Sequence, residues 1–138
     1  MELEEEDALY RELRRFTGDE ASYPHPSQTI VYTEGVRRLM EQARVSWFVD
    51  LIASLQGRAF EDPPLRNFQF WELHIVGHGA LAVCSRDSEE EAFREEVPRA
   101  TSALRYICLY VMAGVLHLPT ETACRRLPYL RQRSSSTT

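Results

Sequence analysis

Between Thr33 and Gly57, apolar residues recur at Val36, Leu39, Met40, Ala43, Trp47, Phe48, Leu51, Ile52 and Leu55. Steps of three and four predict one long amphipathic helix with a single face in a core. Thr33 is placed to cap its first turn, Glu34 to meet the positive end of its dipole, and Gly57 to end it. At 1.5 Å per residue such a helix is roughly 34 Å long, enough to cross a small domain. Two polar residues interrupt the pattern. Ser54 falls within the apolar stripe and Asp50 at its edge, four positions apart and so on one face. A buried carboxylate has to be paired or hydrogen-bonded. Asp50 and Ser54 are therefore expected to fasten the helix to an arginine or a loop backbone. The alternative is an acid at the base of a pocket.

Residues 3–16 predict an N-terminal helix with Leu9, Leu13 and Phe16 on one side, acids in its first turns and arginines at its end. A Pro- and Ser-rich loop follows, containing Tyr23, Pro24, His25 and Pro26. Residues 29–32 form a short β-type run leading into the central helix. Phe68 to Val76 alternates, Gly77-His78-Gly79 turns, and Ala80 to Ser85 returns. Pairing Val76 with Ala80 puts Trp71, Leu73, Ile75, Leu81 and Val83 on one core face. Glu91 to Val97 is a third strand by this reading, although its glutamates also permit a helix. Residues 101–112 fit a strand or a buried helix; Gly114 and the β-branched flanks favour a hairpin that returns over Val115 to Leu118. These elements predict a two-layer α+β fold. An antiparallel meander of about four to six strands is covered by one long central helix plus the N-terminal helix. Residues 1–123 form one domain, and 124–138 a basic, mobile tail.

Composition narrows the function classes. The chain has 138 residues, 43% of them hydrophobic, enough for one core without disulfides or metal. Three cysteines without a CxxC pair argue against a disulfide framework or a zinc knuckle. No apolar run reaches membrane-spanning length, and the acidic start MELEEED is unlike a signal peptide, so a cytoplasmic protein with no membrane contact is expected. All sixteen basic residues are arginine, which removes lysine-based covalent chemistry. The net charge of −5 is uneven: residues 1–7 are acidic, while Arg125, Arg126, Arg131 and Arg133 make the tail basic. An acidic body does not suit general duplex binding, which depends on neutralising phosphates.

Phe16-Thr-Gly18, Val31 to Val36, Trp47 to Asp50, Ile52 to Ser54, Phe68-Gln69, Trp71, Ala82 to Cys84 and Val115 to Glu121 together resemble an uncharacterised family. It consists of small proteins from bacteria and their mobile elements and is known as a domain of unknown function. The resemblance runs from about Leu13 to Glu121 and is most specific over Val31–Ser54. Around Arg86–Glu95 and at Met112-Ala113 the chain departs from the family's pattern, which has a Gly- or Asn-containing turn at the first and an Asn-Gly-like turn at the second. The resemblance implies no reaction, so it assigns no catalytic residue. It implies accessory roles in phage, plasmid or host-defence settings.

No phosphate-binding glycine loop, GxSxG, HExxH or dinucleotide fingerprint is present. His74 and His78 are separated by a turn, which argues against a helical metal pair; no metal or cofactor is expected. In the register above, Glu72 lies opposite Cys84, with His74 on the same outer face. That trio would make an activated thiolate if the groups converge. The leading reading is a non-enzymatic protein-interaction module, binding another protein or a second copy of itself, acting as an accessory or an inhibitor. A second is a small enzyme using Cys84, His74 and Glu72, or Asp50 with a histidine of the 23–26 loop. A third is nucleic-acid binding through the arginines of the tail.

Overall fold

A computed structural model describes residues 8–9, 11–16, 21–87 and 90–121. Residues 8, 9 and 11–13 are helical, as expected of the N-terminal segment. Strands β1 (Ser22–Pro24) and β2 (Val31–Thr33) precede helices α1 (Glu34–Ala43), α2 (Ser46–Ser54) and α3 (Gln56–Ala59). A 3-10 turn at Pro63–Arg66 leads to β3 (Phe68–Val76), β4 (Gly79–Ser85) and β5 (Glu91–Val97). Strands β6 (Tyr106–Met112) and β7 (Val115–His117) and a second 3-10 turn at Pro119–Glu121 complete the described chain. The fold is α+β, with the helices and one face of the sheet sharing the main core.

The single long helix is replaced by three. Arg44 adopts a left-handed conformation (φ 60°, ψ 45°), and its N–H donates to the Met40 carbonyl. The freed Ala43 carbonyl accepts from Ala103 N–H at 2.9 Å. The Trp47 indole donates to the Thr101 carbonyl, also at 2.9 Å. The loop before β6 therefore staples the break, and that long-range partner is invisible in local periodicity. The break also resolves the polar anomaly. A straight continuation would carry the stripe of Val36, Leu39 and Ala43 onward to Asp50 and Ser54. The redirected α2 instead buries Phe48, Val49, Ile52 and Ala53 and leaves Asp50 and Ser54 exposed.

The start of α1 is as expected: the Thr33 hydroxyl accepts from Val36 N–H at 3.2 Å. The same hydroxyl donates to Glu121 Oε1 at 2.6 Å, and that oxygen also accepts from Leu118 N–H at 2.9 Å. Gly35 leaves room for this carboxylate, since a Cβ there would run into it. At the other end of the helical layer, Gln56 and Gln69 exchange reciprocal amide hydrogen bonds of 2.9 Å. The remaining Gln56 donor takes the Ile52 carbonyl and the remaining Gln69 donor the Leu65 carbonyl, while Trp71 Nε1 donates to Gln69 Oε1 at 2.8 Å.

The sheet has seven strands, more than the four to six expected, in the order β1-β2-β7-β6-β3-β4-β5. It is not a meander. β6 crosses to pair with β3, and β2 lies parallel to β7 in an otherwise antiparallel sheet. Composition explains the order. β6 reads YICLYVM and is buried almost throughout, so it takes an interior place; β5 reads EAFREEV and is half exposed, so it takes an edge. Ser22–Pro24, expected as loop, adds the opposite edge.

The β3–β4 hairpin exists, but with a two-residue turn. Gly77 (φ 61°) takes its first central position and Val76 pairs with Gly79, one residue tighter than expected. That slip moves Ala80, Ala82 and Cys84 to the core face and Leu81 and Val83 to the other. The β6–β7 hairpin closes through Ala113 (φ 53°) and Gly114 (φ 80°), where the sequence lacks an Asn-Gly turn. A left-handed alanine is disfavoured by contact of its Cβ with the backbone. Ala113→Asn should therefore raise the unfolding free energy by about 0.5–1 kcal/mol in urea titrations, with the fold unchanged.

Candidate functional site

The tighter hairpin separates the expected Cys84, His74 and Glu72 trio. Cys84 lies opposite Trp71 on the core face and is fully buried. Burial pushes its thiol from 9.0 up to about 12, with the Asp62 charge adding and Arg86 opposing. Glu72 and His74 point from the other face of β3. The Glu72 carboxylate accepts from the Tyr106 hydroxyl at 2.6 Å, and the His74 ring lies 5.1 Å from the Tyr106 ring. Burial, the neighbouring Cys108 and this hydrogen bond all raise the Tyr106 pKa. The thiol thus faces the helices across the sheet from the imidazole and carboxylate expected to activate it.

The alternative pairing, Asp50 with a histidine of the 23–26 loop, is formed. His25 follows β1, and its backbone closes a turn: its N–H donates to the Ile30 carbonyl and its carbonyl accepts from Gln28 N–H. The ring is buried, and Nε2 lies 2.7 Å from Asp50 Oδ1. Ser27 N–H donates to Nδ1 at 3.0 Å, so Nδ1 carries the lone pair and Nε2 the proton that meets the carboxylate. The Ser27 hydroxyl is 2.8 Å from the same Nδ1 and 2.8 Å from the Thr29 hydroxyl, which donates to the Ala53 carbonyl at 3.1 Å. The chain of contacts fastens the β1–β2 connection to α2. It also sets a hydroxyl beside an imidazole that a carboxylate orients, the components of proton abstraction from Ser27.

Asp50 is not the buried acid that the stripe suggested: its side chain is 66% exposed. Ser54 does not join it, since its hydroxyl turns back to the Leu51 carbonyl at 2.8 Å. Periodicity missed Ser27 and Thr29, although hydroxyls beside a proline-flanked histidine are a legible signal. An apolar cavity of about 20 Å³ lies among Leu13, Leu39, Leu104, Ile107 and Leu118. A more open groove of about 340 Å³ runs between Leu9, Glu12, Gln42 and Ala103. Neither includes a member of the His25 cluster. Among the described residues no three His, Cys, Asp or Glu side chains converge as metal ligands, and no helix is long and apolar enough to cross a membrane. Arg125, Arg126, Arg131 and Arg133 lie outside the described residues.

The other feature with chemical character is the β5 edge. Among the described residues no strand pairs with its outer side. Glu91 is bound by Arg94 at 2.6 and 2.7 Å, which lowers the Glu91 pKa. The Arg58 guanidinium sits over the Phe93 ring at 4.3 Å and reaches Glu95 at 3.8 Å. Phe60, two residues on, is 48% exposed. This edge was not singled out in the sequence, because a charged strand reads as an ordinary solvated face.

Over residues 7–122 the chain matches the model of a family of unknown function, DUF6876. The chain belongs to that family. No curated protein and no solved structure matches it. The matched span of this DUF6876 domain takes in the His25 cluster, the β5 edge and the Thr33–Glu121 tie.

Two outcomes test the site. Because the carboxylate is exposed, Asp50→Ala should lower stability by less than about 1 kcal/mol in urea titrations. A loss of several kcal/mol would restore the buried-acid reading. For Cys84, the unfolded thiol ionises above about 9 while the folded one holds its proton to about 12. The unfolded state therefore binds fewer protons across that window, and the stability contributed by Cys84 falls as pH rises through it. Cys84→Ala should flatten the decline in unfolding free energy between pH 8.5 and pH 10.5.

Proposed function

We propose that this DUF6876 protein is a non-enzymatic interaction module that engages another protein along the edge of β5. The observation that carries the reading is the outer side of β5, which no strand pairs among the described residues, with Arg58 packed over Phe93 and with Glu95 and Glu96 on the strand. An edge strand offers unpaired N–H and C=O groups to an extended segment, and flanking side chains supply specificity. The acidic side chains favour a segment bearing arginine or lysine. They also disfavour pairing with a second copy, because an antiparallel β5–β5 contact brings glutamates together. An accessory or inhibitor role in a phage, plasmid or host-defence setting fits this chemistry: an acidic strand competes with nucleic acid for a basic surface.

A second reading rests on the His25–Asp50 hydrogen bond and the adjacent Ser27 hydroxyl. There the protein is a small hydrolase in which His25 takes the Ser27 proton. One experiment separates the two. A photo-crosslinking residue at position 96 should capture a defined partner in the source cells, and one at position 37 should not. Glu95→Arg with Glu96→Arg should abolish capture without changing the melting temperature. Equal capture at both positions would defeat the edge reading. Hydrolysis of an activated ester lost in both Ser27→Ala and His25→Ala would establish the second.

A further inference from the structure

The register shift between Cys84 and Ser85 leaves Phe93 to Val97 as the regular pairing run of β5. Phe93 and Glu95 lie opposite Cys84 and Ala82, so their side chains stand on the helix-facing side of the sheet. Arg94 and Glu96, opposite Val83 and Leu81, stand on the other side. Trp71 meets the Phe93 ring edge to face, with centroids 5.7 Å apart and planes at 77°, which fixes how the ring is presented. The Arg58 guanidinium, from α3, covers that ring at 4.3 Å. Its Nη1 stops 3.8 Å from Glu95 Oε1, beyond hydrogen-bond distance, whereas Arg94 grips Glu91 at 2.6 and 2.7 Å. The Arg58 and Glu95 side chains are 51% and 43% exposed, and an ion pair so open to water is weakly held. Ring and carboxylate thus form a cradle for a guanidinium, filled by one that is easily displaced.

We propose that this cradle is the subsite for a partner's arginine, and that Arg58 fills it in the free protein and gives way on pairing. The proposal rests on the reading that β5 receives an extended segment. A strand added outside β5 sets one side chain opposite Phe93, with Cβ atoms about 4.5–5.5 Å apart, and the same side chain lies on the diagonal to Glu95, within reach of a long residue. An arginine there stacks its flat guanidinium on the ring and turns its fork to the carboxylate, the two contacts that Arg58 now makes. A lysine at the same place offers a strongly hydrated point charge and gains less from the ring. Charge favours the exchange, because Glu96 on the opposite side of the strand adds to the field that draws a cation to this edge. While Arg58 is in place, the ring offers no bare apolar surface to a strand that lacks a cation. The contact is therefore a filter on what pairs with the edge.

The probe is a fluorescein-labelled peptide of alternating threonine and arginine, with its lysine counterpart, titrated against the full chain by fluorescence anisotropy. Arg58→Gln should tighten binding of the arginine peptide by about threefold, since the cradle is then vacant. The arginine peptide should outbind the lysine one by about fivefold, and Phe93→Leu should remove most of that preference. In the unsubstituted protein the Arg58 Nε–H resonance, displaced by the ring current of Phe93, should move to the position of a free arginine as peptide is added. Affinity unchanged or weakened in Arg58→Gln, or an Arg58 resonance that stays put while peptide binds, would overturn the proposal. If Glu95→Arg with Glu96→Arg still abolishes peptide binding in that case, the edge reading stands without it. Peptide binding indifferent to that double substitution removes both. No binding to Arg58→Gln at millimolar peptide also refutes the cradle, and capture at position 96 then decides the edge separately. An Arg58→Gln protein that dimerises in light scattering would assign the edge to a second copy and overturn the proposal as well.

Discussion

The reciprocal amide pair between Gln56 and Gln69 is the constraint on which the arrangement of layers rests. Both side chains are almost entirely buried, at 5% and 1% exposure. Every amide N–H of the pair has an acceptor, and Gln69 Oε1 serves both Gln56 and the Trp71 indole. An orphaned buried amide costs about 1–3 kcal/mol per group. Any slide of α3 along β3, or any rotation of the Pro63–Arg66 turn, would strand several such groups at once. Purely apolar contacts between helix and sheet tolerate small shifts; this network does not. It holds Trp71 in place, and Trp71 in turn supports Phe93 of the edge strand, ring centroids 5.7 Å apart. The geometry of the β5 edge thus depends on an amide pair anchored two strands away, on the same face of the sheet.

What could be read from the sequence divides along the range of the forces involved. Thr33 capping α1 was legible because the cap acts over three residues. The strand over residues 68–76 was legible from alternation and the return over 115–118 from the turn at Gly114, whereas 91–97 stayed open between strand and helix because of its glutamates. The break at Arg44 was not, because its partners, Thr101 and Ala103, come from a distant loop and a left-handed arginine carries no local signature. Once the break is present, Asp50 and Ser54 cease to be anomalies. The stripe that appeared to bury them belongs to two helices with different headings. The register of β3 and β4 failed for a smaller reason. Gly77 and Gly79 allow two turn lengths, and the one adopted buries the small residues Ala80, Ala82 and Cys84 beneath the helices. That single residue of slip decided which chemistry was available.

The candidate site shows the same division. A reactive cysteine requires a thiol that ionises readily, and placing Cys84 among core side chains does the opposite. The His25–Asp50 pair was reachable in outline, since a proline-flanked histidine and an unexplained acid were both conspicuous. Its hydroxyl partners were not, because they depend on the turn from His25 to Gln28, where Gln28 adopts φ 66°. The β5 segment was legible as strand or helix but not as a surface, since edge and interior places are set by the crossover of β6.

The parallel contact between β2 and β7 joins segments made far apart in synthesis. Thr33 and Glu121 are 88 positions apart. At chain elongation of roughly 5–20 residues per second, β2 exists for on the order of five to twenty seconds before its neighbour emerges. During that interval the hairpin of β1 and β2 has no sheet to join, and the apolar side of α1 has no strands to cover. Closure must also overcome the entropy of a long loop, which places this protein among slower folders. Until β7 is made, the unpaired side of β2 and the apolar side of α1 are therefore surfaces onto which strands of other chains can pair.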